Sequence, residues 1–225
     1  FNEQVNGDKR SDFSSSLIEL PFTSDSTDPD DPSGYGGSSG GSESSYKITV
    51  NESVHGSIKV SATVSGSTAT VKDISASEIA KAGTAAVSMD FSGLNKKVDE
   101  VKLPATTMKS IAESASSGLE IKLSTGTVKF DADAVDAISN ATGGKDITLN
   151  VETVNAKTLS AAQKSAVEGL GNAVIIKATL TSGGKTISDF GDGSAKVTVP
   201  YEMKDAGKVA EVYYLADSGM LTKMN

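Results

Sequence analysis

An α+β fold, mostly β, with β-sandwich-like sheets and short helices inserted in repeated strand-helix units, is what three features of this sequence predict. The first is alternation: Tyr46, Ile48 and Val50 share one face of an extended run, and Ile58, Val60, Ala62 and Val64 share one face of the next. The second is a weak internal repeat, in which VKLPATTMKSIAESASSGLEIKL from Val101 aligns with VKFDADAVDAISNATGGKDITLN from Val128. The third is composition: Val, Thr, Ser, Ala and Gly are abundant while Trp is absent and Phe and Tyr are few. Such a mixture suits pleated sheets and tight turns, because β-branched side chains fit the pleat and Gly permits the reversals.

The first of these features predicts a β-hairpin from Tyr46 to Val64 with its turn at His55-Gly56. Ahead of it, residues 23–45 are almost free of apolar side chains, acidic at Asp28, Asp30 and Asp31 and then Gly/Ser-rich. A stretch of that composition cannot bury enough surface to offset its ordering entropy, so a flexible linker is expected there. Residues 1–22 hold one apolar cluster, Phe13, Leu17, Ile18, Leu20 and Phe22. That is too little for a core, so this stretch is expected to be the tail of a preceding domain or a strand that docks on something else. The chain opens on Phe1, which is no initiator, and therefore reads as a processed product or a fragment.

Each repeat predicts a short strand running into a helix. Pro104 suits a first helical turn and Asp131 suits a cap. Met108 and Ile111 in one copy match Val135 and Ile138 in the other, three apart and therefore on one helical face. Gly118 and Gly143-Gly144 close the helices before new strands over 119–123 and 147–151. An earlier fragment, ISASEIAKAG from Ile74, fits the same pattern, with Ser75 and Glu78 at capping-box spacing and Ile79 and Ala82 toward the core. The helix-bearing repeats thus occupy about 70–170, ending in a fourth helical patch over 160–170. Strands are expected over 174–180, 196–201 and 209–215, with a Ser182-Gly183-Gly184 turn between the first two.

Charge and composition exclude several functions. A net charge of -8 and no cluster of Lys or Arg make nucleic acid and anionic lipid poor partners. With no Cys, disulfides, thiolate zinc sites, iron–sulfur clusters and cysteine nucleophiles are all absent. No run of about 18 apolar residues is present, so no helical membrane span is expected.

The motifs VKLPA at Val101 to Ala105, TGTVKFDADAV, and SGGKTISDFGDGSAKVTVPYEMKDAGKVAEVYYLADSGMLTKM carry a resemblance over about residues 46–225. In this order they resemble a module of large secreted surface proteins of Gram-positive bacteria (Firmicutes), of the kind found upstream of S-layer homology repeats. The resemblance implies an extracellular, wall-associated spacer or assembly unit with no catalytic residue to transfer and no cofactor. It implies as partners other surface-protein domains or copies of the chain itself. The S-layer homology repeats are missing here, and the similar modules continue past the Tyr-Tyr strand into a further turn and a last strand. A sheet lacking its final strand exposes an edge. The expectation is that an added strand completes it: residues 14–22 of the same chain, of a neighbour, or a segment outside this chain.

Candidate chemistry is sparse, and each candidate has a plain structural reading. His55, the single histidine, sits in a predicted turn where periodicity brings it no catalytic partner. No G-x-S-x-G elbow accompanies the many serines. Asp131, Asp133 and Asp136 could suggest a glycosidase pair or a calcium site, but at a helix start they read as a cap with charges that suit the helix dipole. Asp28, Asp30 and Asp31 lack calcium-loop spacing. The glycines at 34, 36 and 37 and the Gly191-Asp192-Gly193 loop read as turns rather than phosphate cradles. The sequons at Asn51 and Asn140 carry no weight in a bacterial protein. A Lys to Asn or Asp isopeptide bond would be revealed by an intact mass lower by an ammonia or a water. Catalytic, cofactor and metal residues are therefore assigned to none. The expected function is architectural, with an adhesin or carbohydrate- or protein-binding accessory module as the alternative; five Tyr and no Trp argue against sugar stacking. A hydrolase would need a cleft with convergent carboxylates.

Overall fold

The computed structural model describes residues 17–18, 44–50, 58–170, 173–201 and 210–224. Strand β1 is Leu17–Ile18, and β2 (Ser44–Val50), β3 (Ile58–Ser65) and β4 (Thr68–Val71) follow. β2 and β3 form the antiparallel hairpin expected from their alternation, with Tyr46 opposite Ala62 and Ile48 opposite Val60. β2 starts at Ser44, inside the 23–45 stretch read as linker, because Ser44 and Ser45 pair with Val64 and Thr63. The hairpin's turn, His55 included, lies outside the described residues, as does most of 1–45.

Three strand-helix-strand units come next. The first is β4, α1 (Ala76–Ile79, continued as a 3₁₀ turn to Ala82) and β5 (Val87–Asp90). The second is β6 (Glu100–Leu103), α2 (Ala105–Ala112) and β7 (Gly118–Lys122). The third is β8 (Thr127–Asp131), α3 (Ala132–Ala141) and β9 (Ile147–Thr153). Their strands do not close on themselves. β6 pairs with β9 and β7 with β8, so the second and third units each give one strand to both halves of the sheet.

This interlock is pseudo-twofold down to its register. Val101 opposes Leu149, and its repeat equivalent Val128 opposes Ile121, which matches Leu149 once one extra residue after α3 is allowed for. The first unit lies alongside the second, with β4 parallel to β6 and β5 parallel to β7. Two hydroxyl–carboxylate bonds of 3.0 Å, Thr68 to Glu100 and Ser88 to Glu120, hold these parallel pairs, both across 32 residues. Parallel neighbours need a crossover between them, which the helices supply.

Helix boundaries follow local chemistry. The Ser75 and Asp131 side chains accept from the amides of Glu78 and Ala134 to start α1 and α3, and Gly143 and Gly144 at φ 56° and 80° end α3. α2 buries Thr107, Met108 and Ile111, and α3 buries Ala134, Val135 and Ile138, which is the face that the three-residue spacing predicted.

The chain continues through α4 (Ala161–Glu168), β10 (Ile176–Ser182), β11 (Lys185–Thr186), β12 (Ala195–Thr198), β13 (Tyr213–Leu215) and β14 (Leu221–Lys223). The large sheet runs β1-β12-β8-β7-β5-β2-β3-β4-β6-β9-β10-β11. Its two halves join through one residue pair, Val50 opposite Met89. Apolar residues of both halves and the helices form one buried cluster, with Phe91, Met89, Leu103, Leu119, Phe130 and Ile147 among the largest. Phe190 meets Phe130 edge-on, with ring centroids 5.8 Å apart.

Strand β14 was not expected. Past the Tyr-Tyr strand, where the chain was expected to stop short of a last strand, Asp217–Gly219 turn the chain and β14 pairs with β13. The run Leu221-Thr222-Lys223 is too short to display a period, so only its partner identifies it as a strand. This hairpin lies against α4: Gln163 Nε2 donates to the Ala216 carbonyl at 3.4 Å, and a Cβ at Gly219 would fall 2.7 Å from the Ala162 oxygen. α4 carries a full capping box of Ser160 and Gln163 yet buries no residue, which distinguishes it from α2 and α3.

Candidate functional site

The chemistry-bearing side chains gather around the α2–α3 pair. At the α3 N-terminus Asp131 does more than cap. One carboxylate oxygen accepts from the Ala134 amide at 2.9 Å, and the other accepts from the Ser194 amide at 2.9 Å and the Ser194 hydroxyl at 2.5 Å. Burial pushes the Asp131 carboxyl up, but the Ser194 hydroxyl and the two amides outweigh it and hold it below the ordinary carboxylate range. The Gly191-Asp192-Gly193 loop, read from sequence as a turn, is what delivers Ser194. A Cβ at Gly193 would lie 2.1 Å from the Ala134 nitrogen, so only glycine permits this approach.

The α2 N-terminus is capped from elsewhere in the chain. Pro104 brings no side-chain acceptor, and Asp146, just before β9, takes the Ala105 amide at 3.1 Å. Asp73, just before α1, accepts from the hydroxyls of Thr106 at 2.6 Å and Thr107 at 3.0 Å. Thr107 is fully buried and its oxygen in turn accepts from the Ile74 amide at 3.0 Å. The Thr106 hydroxyl first, then that of Thr107, lowers the Asp73 carboxyl. Sequence reading missed both Asp73 and Asp146, because their partners lie 33 to 41 residues away and no local spacing marks them.

Between α2 and α3 lies an open polar groove of about 360 Å³. Lys109, Glu113, Asp136 and Asn140 line it, and Lys109 and Glu113 pair at 3.7 Å on the surface. The acidic trio is thus divided: Asp131 works at the helix start, Asp133 is exposed in the first turn, and Asp136 faces the groove. Among the described residues no three His, Asp or Glu side chains are gathered to hold a metal ion. Asn140 of the second sequon is exposed at the end of α3, and its Thr142 is buried with the hydroxyl donating to the Ser139 carbonyl at 2.8 Å. His55, the 28–31 acidic run, the 34–37 glycines and the Asn51 sequon lie outside the described residues. Among lysines whose side chains are described, which leaves out Lys47 and Lys59, none is buried, and an isopeptide bond needs a neutral amine of the kind that burial produces.

What the geometry defines is an α+β protein of interlocked strand-helix-strand units whose aspartates at helix starts tie remote segments together. The chain matches no protein-family model, and no curated protein and no solved structure matches it significantly.

The Asp131 assembly makes a direct prediction. Asp131→Ala is expected to cost about 0.5–2 kcal/mol at pH 7, the usual range for a lost cap. The folded carboxyl titrates below its unfolded value, so its stabilisation is fully present above that value and is lost as pH falls through the lower, folded one. Urea melts from pH 7 down to about 2.5 should therefore show the gap between wild type and variant narrowing below about pH 4. A gap that is constant with pH would contradict this role.

Proposed function

We propose that this chain is a non-catalytic structural module of a secreted bacterial surface protein, a spacer or assembly unit of the wall or an S-layer-associated protein. The observation that carries the reading is the use made of the acidic side chains. Asp73, Asp131 and Asp146 each accept from groups 33 to 63 residues away and brace one helix start against another segment. Ordering of this kind suits a unit that must keep its shape between neighbours. The order of the surface-module motifs between Val101 and Met224 supports the same reading and supplies its location.

The test is protease shaving and antibody labelling of intact cells of the source organism. Labelling of unbroken cells, with loss of signal after trypsin, is the expected result. Antigen reached only after lysis would overturn the reading.

A further inference from the structure

The two edges of the large sheet differ. β11 is two exposed residues, Lys185 and Thr186, directly after the Gly183-Gly184 turn, and a short strand carrying a lysine is a blunt edge that resists pairing. β12 is four residues long with Ala195 and Val197 buried, and its inner side is fully paired to β8. Its outer side carries β1, with Leu17 opposite Thr198 and Ile18 opposite Val197. Cross-strand partners share a face, so Ile18 takes the register position opposite buried Val197.

We propose that the outer edge of β12 is a strand-acceptor site, and that the segment at Leu17–Ile18 is exchanged between copies, so that the N-terminal strand of one chain completes the sheet of the next. The described ladder of β1 touches its acceptor through two residue pairs. Nothing in that pairing distinguishes the chain's own strand from a second copy's, which is the condition under which swapping is inexpensive. The next described strand begins 26 residues after Ile18, at Ser44, and a chain of that length can reach across at most about 90 Å. Own-strand pairing is therefore favoured in dilute solution by its effective concentration, in the millimolar range for short tethers, and exchange gains as copies crowd together. Each chain gives one strand and takes another at a different surface, a heterologous contact that propagates head to tail. This deepens the proposed assembly role by naming the partner as a second copy; a failure of exchange would leave the spacer reading standing.

Because the chain has no cysteine, an engineered pair reports alone. In the double variant L17C/T198C, mild oxidation is expected to give within-chain crosslinks when dilute and covalent multimers when concentrated. In an equimolar mixture of the single variants L17C and T198C, the heterodimer should exceed the dimer formed by either variant alone several-fold, and adding Ile18→Asp to the L17C chain should remove it. Light scattering on the unmodified chain is the independent readout: mass should rise with concentration, and Ile18→Asp should abolish the rise. Crosslinking confined within the chain, or a mass that stays monomeric across the series, would overturn exchange. Absence of any L17C–T198C crosslink in a folded double variant would overturn the acceptor site itself.

Discussion

Gly118→Ala is expected to destabilise the protein by at least about 3 kcal/mol, combining backbone strain with forced overlap. Gly118 opens β7 at φ 134°, a conformation that L side chains rarely adopt, and a Cβ there would lie 2.0 Å from the Phe130 carbonyl oxygen. The obstacle is backbone, so no rotamer change relieves it. That carbonyl belongs to β8, and Gly118 pairs with Asp131, the residue that caps α3. The substitution therefore strikes the junction where the second and third units interlock. Urea unfolding of the variant beside wild type measures the effect; a loss under about 1 kcal/mol would show that β7 and β8 separate freely.

Phe130→Ala should cost about 3–5 kcal/mol, and Leu103→Ala about 2–5 kcal/mol. The two residues are repeat equivalents near the ends of the strands that feed α2 and α3, and both are essentially fully buried. Phe130 stands opposite Leu119 on one side and Ala195 on the other and packs edge-on against Phe190, so its removal opens a cavity shared by three strands and a loop. Leu103 opposes Ile147. Because both occupy one core, each variant should lower the stability of the whole sheet, with its ladder amides losing protection together. Loss confined to the half that carries the substitution would contradict a shared core.

Much of this arrangement was legible because its signals are local. Alternation identified β2 and β3, and the repeat from Val101 and Val128 located α2, α3 and the strands around them. The Asp131 cap follows from a residue type at a helix start. What could not be read is pairing over distance. Nothing along the sequence says that β6 joins β9 while β7 joins β8, since a strand's partner is set by which buried faces meet. β4 and β14 escaped notice because three or four residues are too few to display a period. The same limit hid Asp73 and Asp146, whose hydrogen-bond partners come from other units. The Gly191-Asp192-Gly193 loop was recognisable as a turn, but its close seat on the α3 N-terminus depends on tertiary contact.

Native-state hydrogen exchange under increasing denaturant tests most directly the claim that the units are locked into one body. Amides of the β6–β9 and β7–β8 ladders should open together at one common free energy, while those of α4 and the β13–β14 hairpin, which bury no residue, open at a lower one. If the two ladders opened separately, with β6–β9 retained after β7–β8 had exchanged, the interlock would not be what holds this protein together.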